Sequence, residues 1–473
     1  MGMTGIVSYA AYLPLYRLDR AEIGKAWGKS GKGEKAVGAF DEDSLTMAVA
    51  AAQQCLAGKN AGAVDGLFFA STTAPYNEKQ SAATIAAVLG MGPETYTADF
   101  GGSLRSGTNA VRAALDAVNS GSLKQVLVLA ADCRYALPNG GSEMAFGDGA
   151  GALLIGTEGV VASIDSFYSM SDEIIDVFRS DRDRYVKTWE IRFVRDDGHG
   201  RVVPAAIKAA MEKTGQSIAD FSRIVMYSPD ARQVNAVAKG MKLDATKLQD
   251  TFFNQFGDTG NAQVFISLAA ALEAASAGDK IMAVSYGNGS DVMTLTATAE
   301  IAAAKPARGI EYYLNTKLMV PTYQKWLRWR DIVEVEPPAT APMEQPSPVA
   351  LWRDNKSGLD LHGVKCRACG TPQYPAQRVC IECGAKDNFE DYSFADKTGV
   401  LATYSHDSLG VSADPPTTIA AVDFPEGGRI TCDMTDRFPE EIEVGMPIEM
   451  VFRILRYIGG FYTYWWKARP KRD

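Results

Sequence analysis

The chain has 473 residues, 46% of them hydrophobic and 22% charged, with a formal net charge of -9 and a pI near 5.2. That length exceeds one ordinary domain and supports a large core, while the acidity argues against broad affinity for nucleic acid or anionic membranes. No apolar run reaches the roughly 18–20 residues that span a bilayer, and the first residues lack a basic stretch followed by a long apolar one. A cytoplasmic protein without membrane or nucleic-acid partners is expected.

Short apolar strands alternate with Ala-rich amphipathic helices over about the first 335 residues, the pattern of an α/β domain. Val64–Ala70 predicts a buried strand and Ser81–Leu89 the helix after it; Val126–Ala131 and Ile281–Ser285 predict further strands. Ala113–Asp132 resembles Ala270–Asn288: each runs helix, Gly turn, buried strand, about 157 residues apart. Two similar halves imply a pseudo-symmetric domain with a site at their junction. Between them lies Asp172–Gly200, rich in Arg and aromatics, which is expected either to line an entrance or to form a solvated surface helix.

Glu336–Val349 holds five prolines and reads as a stiff linker. Beyond it, Cys366-x-x-Cys369-Gly370 and Cys380-x-x-Cys383-Gly384 form two matched knuckles. A two-residue gap lets both thiolates of a pair face one cation, and the following Gly permits the turn that aims N–H groups at sulfur. Four thiolates suit tetrahedral zinc with no open position, hence a structural site. Cys55, Cys133 and Cys432 stand alone, as in a reducing compartment. Five short strands follow, over 399–404, 418–423, 429–433, 446–455 and 461–468, and suggest a small barrel. The cluster Phe461–Trp466 alternates as a strand would and should supply core and barrel face. The expected division is therefore 1–335, a linker over 336–349, a zinc ribbon over 350–390 and the barrel over 391–473.

Three stretches, two of them glycine-rich, carry a family resemblance. Phe146-Gly-Asp148-Gly-Ala-Gly resembles a strand of ketoacyl synthases and 3-hydroxy-3-methylglutaryl-CoA synthases; its glycines let the strand pass close beneath a loop whose amides Asp148 can meet. Tyr286-Gly-Asn288-Gly-Ser-Asp291 resembles the same family's C-terminal active-site loop, and Ser71–Lys79 is similar to archaeal-type synthases. The resemblance implies a thiolase-like, duplicated five-layer αβαβα domain, a homodimer formed through it, and a coenzyme A thioester as substrate. The C-terminal part resembles the rubredoxin-like zinc-ribbon and OB-fold proteins that accompany such enzymes.

The departures concern the chemistry. In Asp99–Thr108 the resemblance puts Leu104 at the nucleophilic cysteine's position; Tyr227, opening Tyr-Ser-Pro-Asp230, stands for the catalytic His; and Thr72 stands for the general-base Glu. Asp258, in Phe256-Gly-Asp-Thr-Gly-Asn261, falls near the substrate carbonyl, and Asn288 with the backbone around Gly102 and Ser103 is placed to hold an oxyanion. Of the three His (His199, His362, His406), none falls in these loops. Without a thiolate there is no acyl-enzyme, so the expectation is Cys-independent aldol or retro-aldol chemistry on a 3-hydroxyacyl-CoA. In it Tyr227, its pKa lowered from about 10, and Asp258 would share the acid/base work. Two alternatives stand beside it: a synthase-like acyltransferase using another thiol such as Cys133, and an acyl-CoA-binding scaffold for a partner thiolase or dehydrogenase.

Overall fold

The computed structural model describes residues 3–229, 231–336 and 345–472. Residues 337–344 of the expected linker and Asp230 of the Tyr227 motif lie outside the described residues. The chain resolves into two compact units. One takes in the residues up to Gly38, Asp43–Ala86 and Gly92–Tyr323; the other comprises Ala39–Glu42, Ala87–Met91 and the chain from Gln324 onward.

Among the described residues of the first unit, nine strands form one sheet in the order 223–226, 280–286, 289–297, 162–171, 5–12, 148–156, 126–133, 66–70, 96–100. Its middle is a seam: the strands Gly5–Tyr12 and Ala162–Ser171 meet antiparallel through Gly5↔Ser163 and Ile6↔Ala162. On either side the halves repeat. Gly5–Tyr12 and Ala162–Ser171 begin 157 residues apart, as do Gly66–Ala70 and Arg223–Met226. In each half two parallel strands are followed by an antiparallel pair. The fold is the thiolase-like α/β architecture that the family resemblance implies, with the two similar halves expected from the repeat.

Burial explains the composition of these elements. Val126–Cys133 and Asp148–Gly156 are buried along their whole length, so they read as unbroken apolar or small runs instead of alternating ones. The helix Ala262–Glu273, amphipathic on paper, is buried on nearly all sides except near its end. It packs on the strands Asp148–Gly156, Gly5–Tyr12 and Arg223–Met226, and its Ala and Ser residues keep it thin enough to do so. At Gly147 a Cβ would lie 1.8 Å from the Phe256 carbonyl, so only glycine lets this strand pass the 256–261 loop. Asp148 accepts from the Gly38 amide at 2.7 Å, a loop amide as expected but a buried one.

The second unit contains a three-stranded sheet of Pro372–Gln373, His362–Cys366 and Phe389–Ser393, and a closed five-stranded barrel. The barrel strands are Thr398–Asp407, Thr417–Asp423, Arg429–Met434, Pro447–Ile458 and Phe461–Pro470, within a few residues of the predicted five. Tyr464 and Trp466, at alternate positions of the aromatic cluster, are buried in it. A buried ionic cluster also lies here: Arg453 pairs with Asp436 at 2.8 Å and Glu42 at 3.0 Å, and Lys467 with Asp41 at 2.9 Å. No helix among the described residues is long and apolar enough to cross a membrane.

Candidate functional site

The loops that follow the strands of the first unit enclose a cavity of about 1420 Å³. Thr72, Gly102, Ser103, Leu104, Tyr227, Asp258 and Asn288 all line it, so residues spread over more than 200 positions meet at one place. Cys133 is buried but is not among the lining residues, and no cysteine is.

Leu104 sits on the turn before the helix Ser106–Asn119. That turn is clamped to the glycine-rich loop: Ser103 Oγ and Arg105 Nε each donate to the Gly287 carbonyl at 2.9 Å, and Arg105 pairs with Asp291 at 2.8 Å. Asn261 ties the turn down from the other side, donating to the Ser103 carbonyl at 3.2 Å and accepting from the Gly107 amide at 3.0 Å. Asn288 takes a left-handed φ of 49°, which asparagine tolerates, and its side-chain amide donates to the Ile174 carbonyl at 3.0 Å.

Thr72 is held by Asp132. One carboxylate oxygen accepts from the Thr72 amide at 2.7 Å and hydroxyl at 3.0 Å, and from Ser71 and Thr73; the other accepts twice from Asn261. The Thr72 hydroxyl therefore gives its one proton to a carboxylate and can meet a ligand only as an acceptor.

Tyr227, Asp258 and Arg134 form a buried trio. The Tyr227 hydroxyl donates to Asp258 at 3.2 Å, and Arg134 Nη1 pairs with Asp258 Oδ2 at 2.9 Å while its guanidinium lies 4.0 Å from the Phe146 ring centre. Asp258 also accepts from the Gly260 amide at 3.0 Å, shaping the loop before the helix that starts at Ala262. Burial, and then the Asp258 charge, push the Tyr227 hydroxyl well above its ordinary value. This corrects the expectation of a tyrosine made acidic: Tyr227 stays protonated and serves as a hydrogen-bond donor.

Sequence reasoning missed His199, Arg134 and Asp132. His199 closes the 172–200 segment and lines the cavity, 1% exposed, with its Nε2 2.9 Å from the Tyr227 carbonyl. A carbonyl only accepts, so Nε2 carries the hydrogen and Nδ1, which has no hydrogen-bond partner in the described residues, keeps its lone pair. Burial lowers the ring's pKa to about 4, partly opposed by that hydrogen bond, so it is neutral at pH 7. Beside it the Tyr286 hydroxyl donates to Asp176. The only signal in the sequence was the scarcity of histidine.

In the second unit the sulfurs of Cys366, Cys369, Cys380 and Cys383 lie within 4.8 Å of one another, with Cys366–Cys383 at 3.7 Å and Cys369–Cys380 at 3.5 Å. Zn–S bonds of about 2.3 Å in a tetrahedron separate sulfurs by about 3.8 Å, so the four thiols fit a zinc ion. Four sulfurs complete its shell, and its contribution is structural.

Three family models match the chain: the C-terminal domain of 3-oxoacyl-[acyl-carrier-protein] synthase III over residues 211–298, the ChsH2 rubredoxin-like zinc ribbon over 360–390, and the ChsH2 C-terminal OB-fold domain over 392–453. The hydroxymethylglutaryl-CoA synthase of Aeropyrum pernix is 32% identical over 330 residues, 67% of this chain and 91% of the relative; that of Methanopyrus kandleri is 30% identical, covering 69% and 97%. The fold is similar to that of an HMG-CoA synthase crystallised with CoA (TM-score 0.63, 18% identity, 69% of this chain and 90% of that one). It is also similar to MvaS in complex with 3-hydroxy-3-methylglutaryl coenzyme A (TM-score 0.62, 19% identity, 72% and 95%). These relatives are named synthases, not aldolases or lyases. The expectation of Cys-independent aldol or retro-aldol chemistry is overturned by them in favour of the synthase-like alternative.

Proposed function

Because the chain belongs to the hydroxymethylglutaryl-CoA synthase family, we propose that it is a synthase-type acyltransferase acting on coenzyme A thioesters without parking the acyl group on the protein. Both thioesters bind in the cavity of the first unit. The acceptor gives up a proton and attacks the donor's thioester carbonyl; the new bond to carbon forms, the C–S bond breaks, and the sulfur leaves with a proton as free coenzyme A. Asp258 carries the proton. Tyr227 donates a hydrogen bond, and Asn288 with the backbone at Gly102–Ser103 receives the negative charge that develops on oxygen.

The observation that carries this reading is the convergence of Tyr227, Asp258, Asn288, Thr72 and Leu104 on one cavity lined by no cysteine. The structures of relatives holding CoA and hydroxymethylglutaryl-CoA support the thioester as ligand. Leucine at the nucleophile's position favours a second reading, an acyl-CoA-binding scaffold for a partner thiolase or dehydrogenase. The division at 335, 349 and 390, the cytoplasmic setting and a homodimer through the first unit belong to the same proposal.

The test is thiol release from acetyl-CoA plus acetoacetyl-CoA by the full-length chain alone, read with a thiol-reactive dye, alongside calorimetric binding. Release that Asp258→Asn abolishes supports the acyltransferase. Binding without release, until a second protein is added, makes the chain a scaffold.

A further inference from the structure

Residues 172–200 hang over the cavity from the loops that line it. Asn288 donates to the Ile174 carbonyl at 3.0 Å, Tyr286 donates to Asp176, Arg179 donates to the Thr72 carbonyl at 2.7 Å, and His199 donates to the Tyr227 carbonyl at 2.9 Å. Within the segment, Val177–Phe178 pairs with Lys187–Thr188 as a short hairpin, and the Trp189 amide closes on the Asp176 carbonyl at 3.0 Å. A segment anchored at four points is held in place before any ligand arrives.

Six of the residues it turns to the cavity are apolar, Val177, Phe178, Val186, Trp189, Ile191 and Val194, and they stand beside Asp176, Arg179, Thr188 and His199. Several of these are conspicuously bare, Trp189 at 63% exposure and Ile191 at 75%. Large apolar side chains standing in water along the wall of a cavity carry an unrealised free energy of burial. A two-carbon acyl group offers too little apolar surface to cover side chains of this size and would leave most of the wall wet.

We propose that these six side chains form a subsite for a bulky apolar acyl group, so that the thioester this chain selects carries a medium-length or longer hydrocarbon acyl chain instead of acetyl. The proposal rests on the CoA-thioester reading above and deepens it. Selectivity comes from the 172–200 segment.

Calorimetric binding of acetyl-, octanoyl- and dodecanoyl-CoA to the full-length chain tests it. Affinity is expected to rise about three- to fourfold for each methylene that reaches the wall, giving dodecanoyl-CoA an advantage of at least tenfold over acetyl-CoA. In the double variant Trp189→Ala/Ile191→Ala that ratio should fall about tenfold. Equal affinity across the wild-type series overturns the inference while leaving the thioester reading intact; binding of none of the esters overturns both. A flat series in which the wild type self-associates and the double variant does not would assign the exposed wall to a second copy of the chain, and also overturns it.

Discussion

Arg134, Asp258 and Tyr227 place two opposite charges and a hydroxyl out of reach of bulk water, and removing one charge alone leaves the other stranded. Arg134→Met should therefore cost on the order of 3–5 kcal/mol, measured by urea unfolding, and Asp258→Asn in the same background should recover part of that loss. His199 gives a second expectation. Its pKa is about 4 in the folded chain and about 6.5 when unfolded, so protons favour the unfolded state. Its contribution is complete above pH 6.5 and is lost as pH falls towards 4, by about 3 kcal/mol in all. His199→Gln should flatten that part of the stability profile; an unchanged slope would refute the assignment. Neither group was legible in the sequence. Arg134 meets Asp258 across 124 positions and His199 meets Tyr227 across 28, separations that no spacing rule covers. The sign of the Tyr227 shift was equally hidden, because it depends on burial. Leu104, Tyr227, Thr72, Asp258 and Asn288 were legible as neighbours because the glycine-rich motifs around them fix which loops converge.

The turn from Gly101 to Arg105, before the helix Ser106–Asn119, presents Ser103 and Leu104 to the cavity, and leucine holds the nucleophile's position. A helix N-terminus lowers the pKa of a thiol placed there. Leu104→Cys should consequently acquire an acetyl adduct on mixing with acetyl-CoA, seen as a mass increase on the intact protein, whereas the unaltered chain should show none. An adduct on the unaltered chain would defeat the proposal of transfer without a protein-bound acyl group. At this scale the sequence was most readable: the predicted strands and the 157-residue repeat reappear, since apolar runs bounded by glycine turns permit few alternatives. The 172–200 segment was harder. Its composition favoured a solvated surface helix over an entrance, and its place beside the cavity comes from backbone partners on distant loops.

For the molecule as a whole, a zinc ion held by the four cysteines is expected to add to the stability of the second unit. Cys380→Ser should reduce bound zinc from about one ion per chain to a small fraction, measured by elemental analysis. The same change should lower the unfolding temperature of the barrel unit, as chelation would. The matched knuckles made those ligands readable, whereas the membership of Ala39–Glu42 in that unit was not readable at all, because nothing local marks Asp41 and Glu42 as partners of Lys467 and Arg453.

That membership has a consequence in time. During synthesis Glu42 emerges some 400 residues before Arg453, which at 5–20 residues per second is a wait of roughly 20–80 s. Throughout that interval the two acids have no counter-charges from the barrel, and the second unit cannot be completed until almost the last residue is made. A chain ended in the linker thus leaves its early acids without these partners, and a gene cut at the same point yields a barrel in which Lys467 lacks Asp41 and Arg453 lacks Glu42 while keeping Asp436. The fusion of the two units is in this sense hard to undo: separating them takes more than breaking the peptide that joins them.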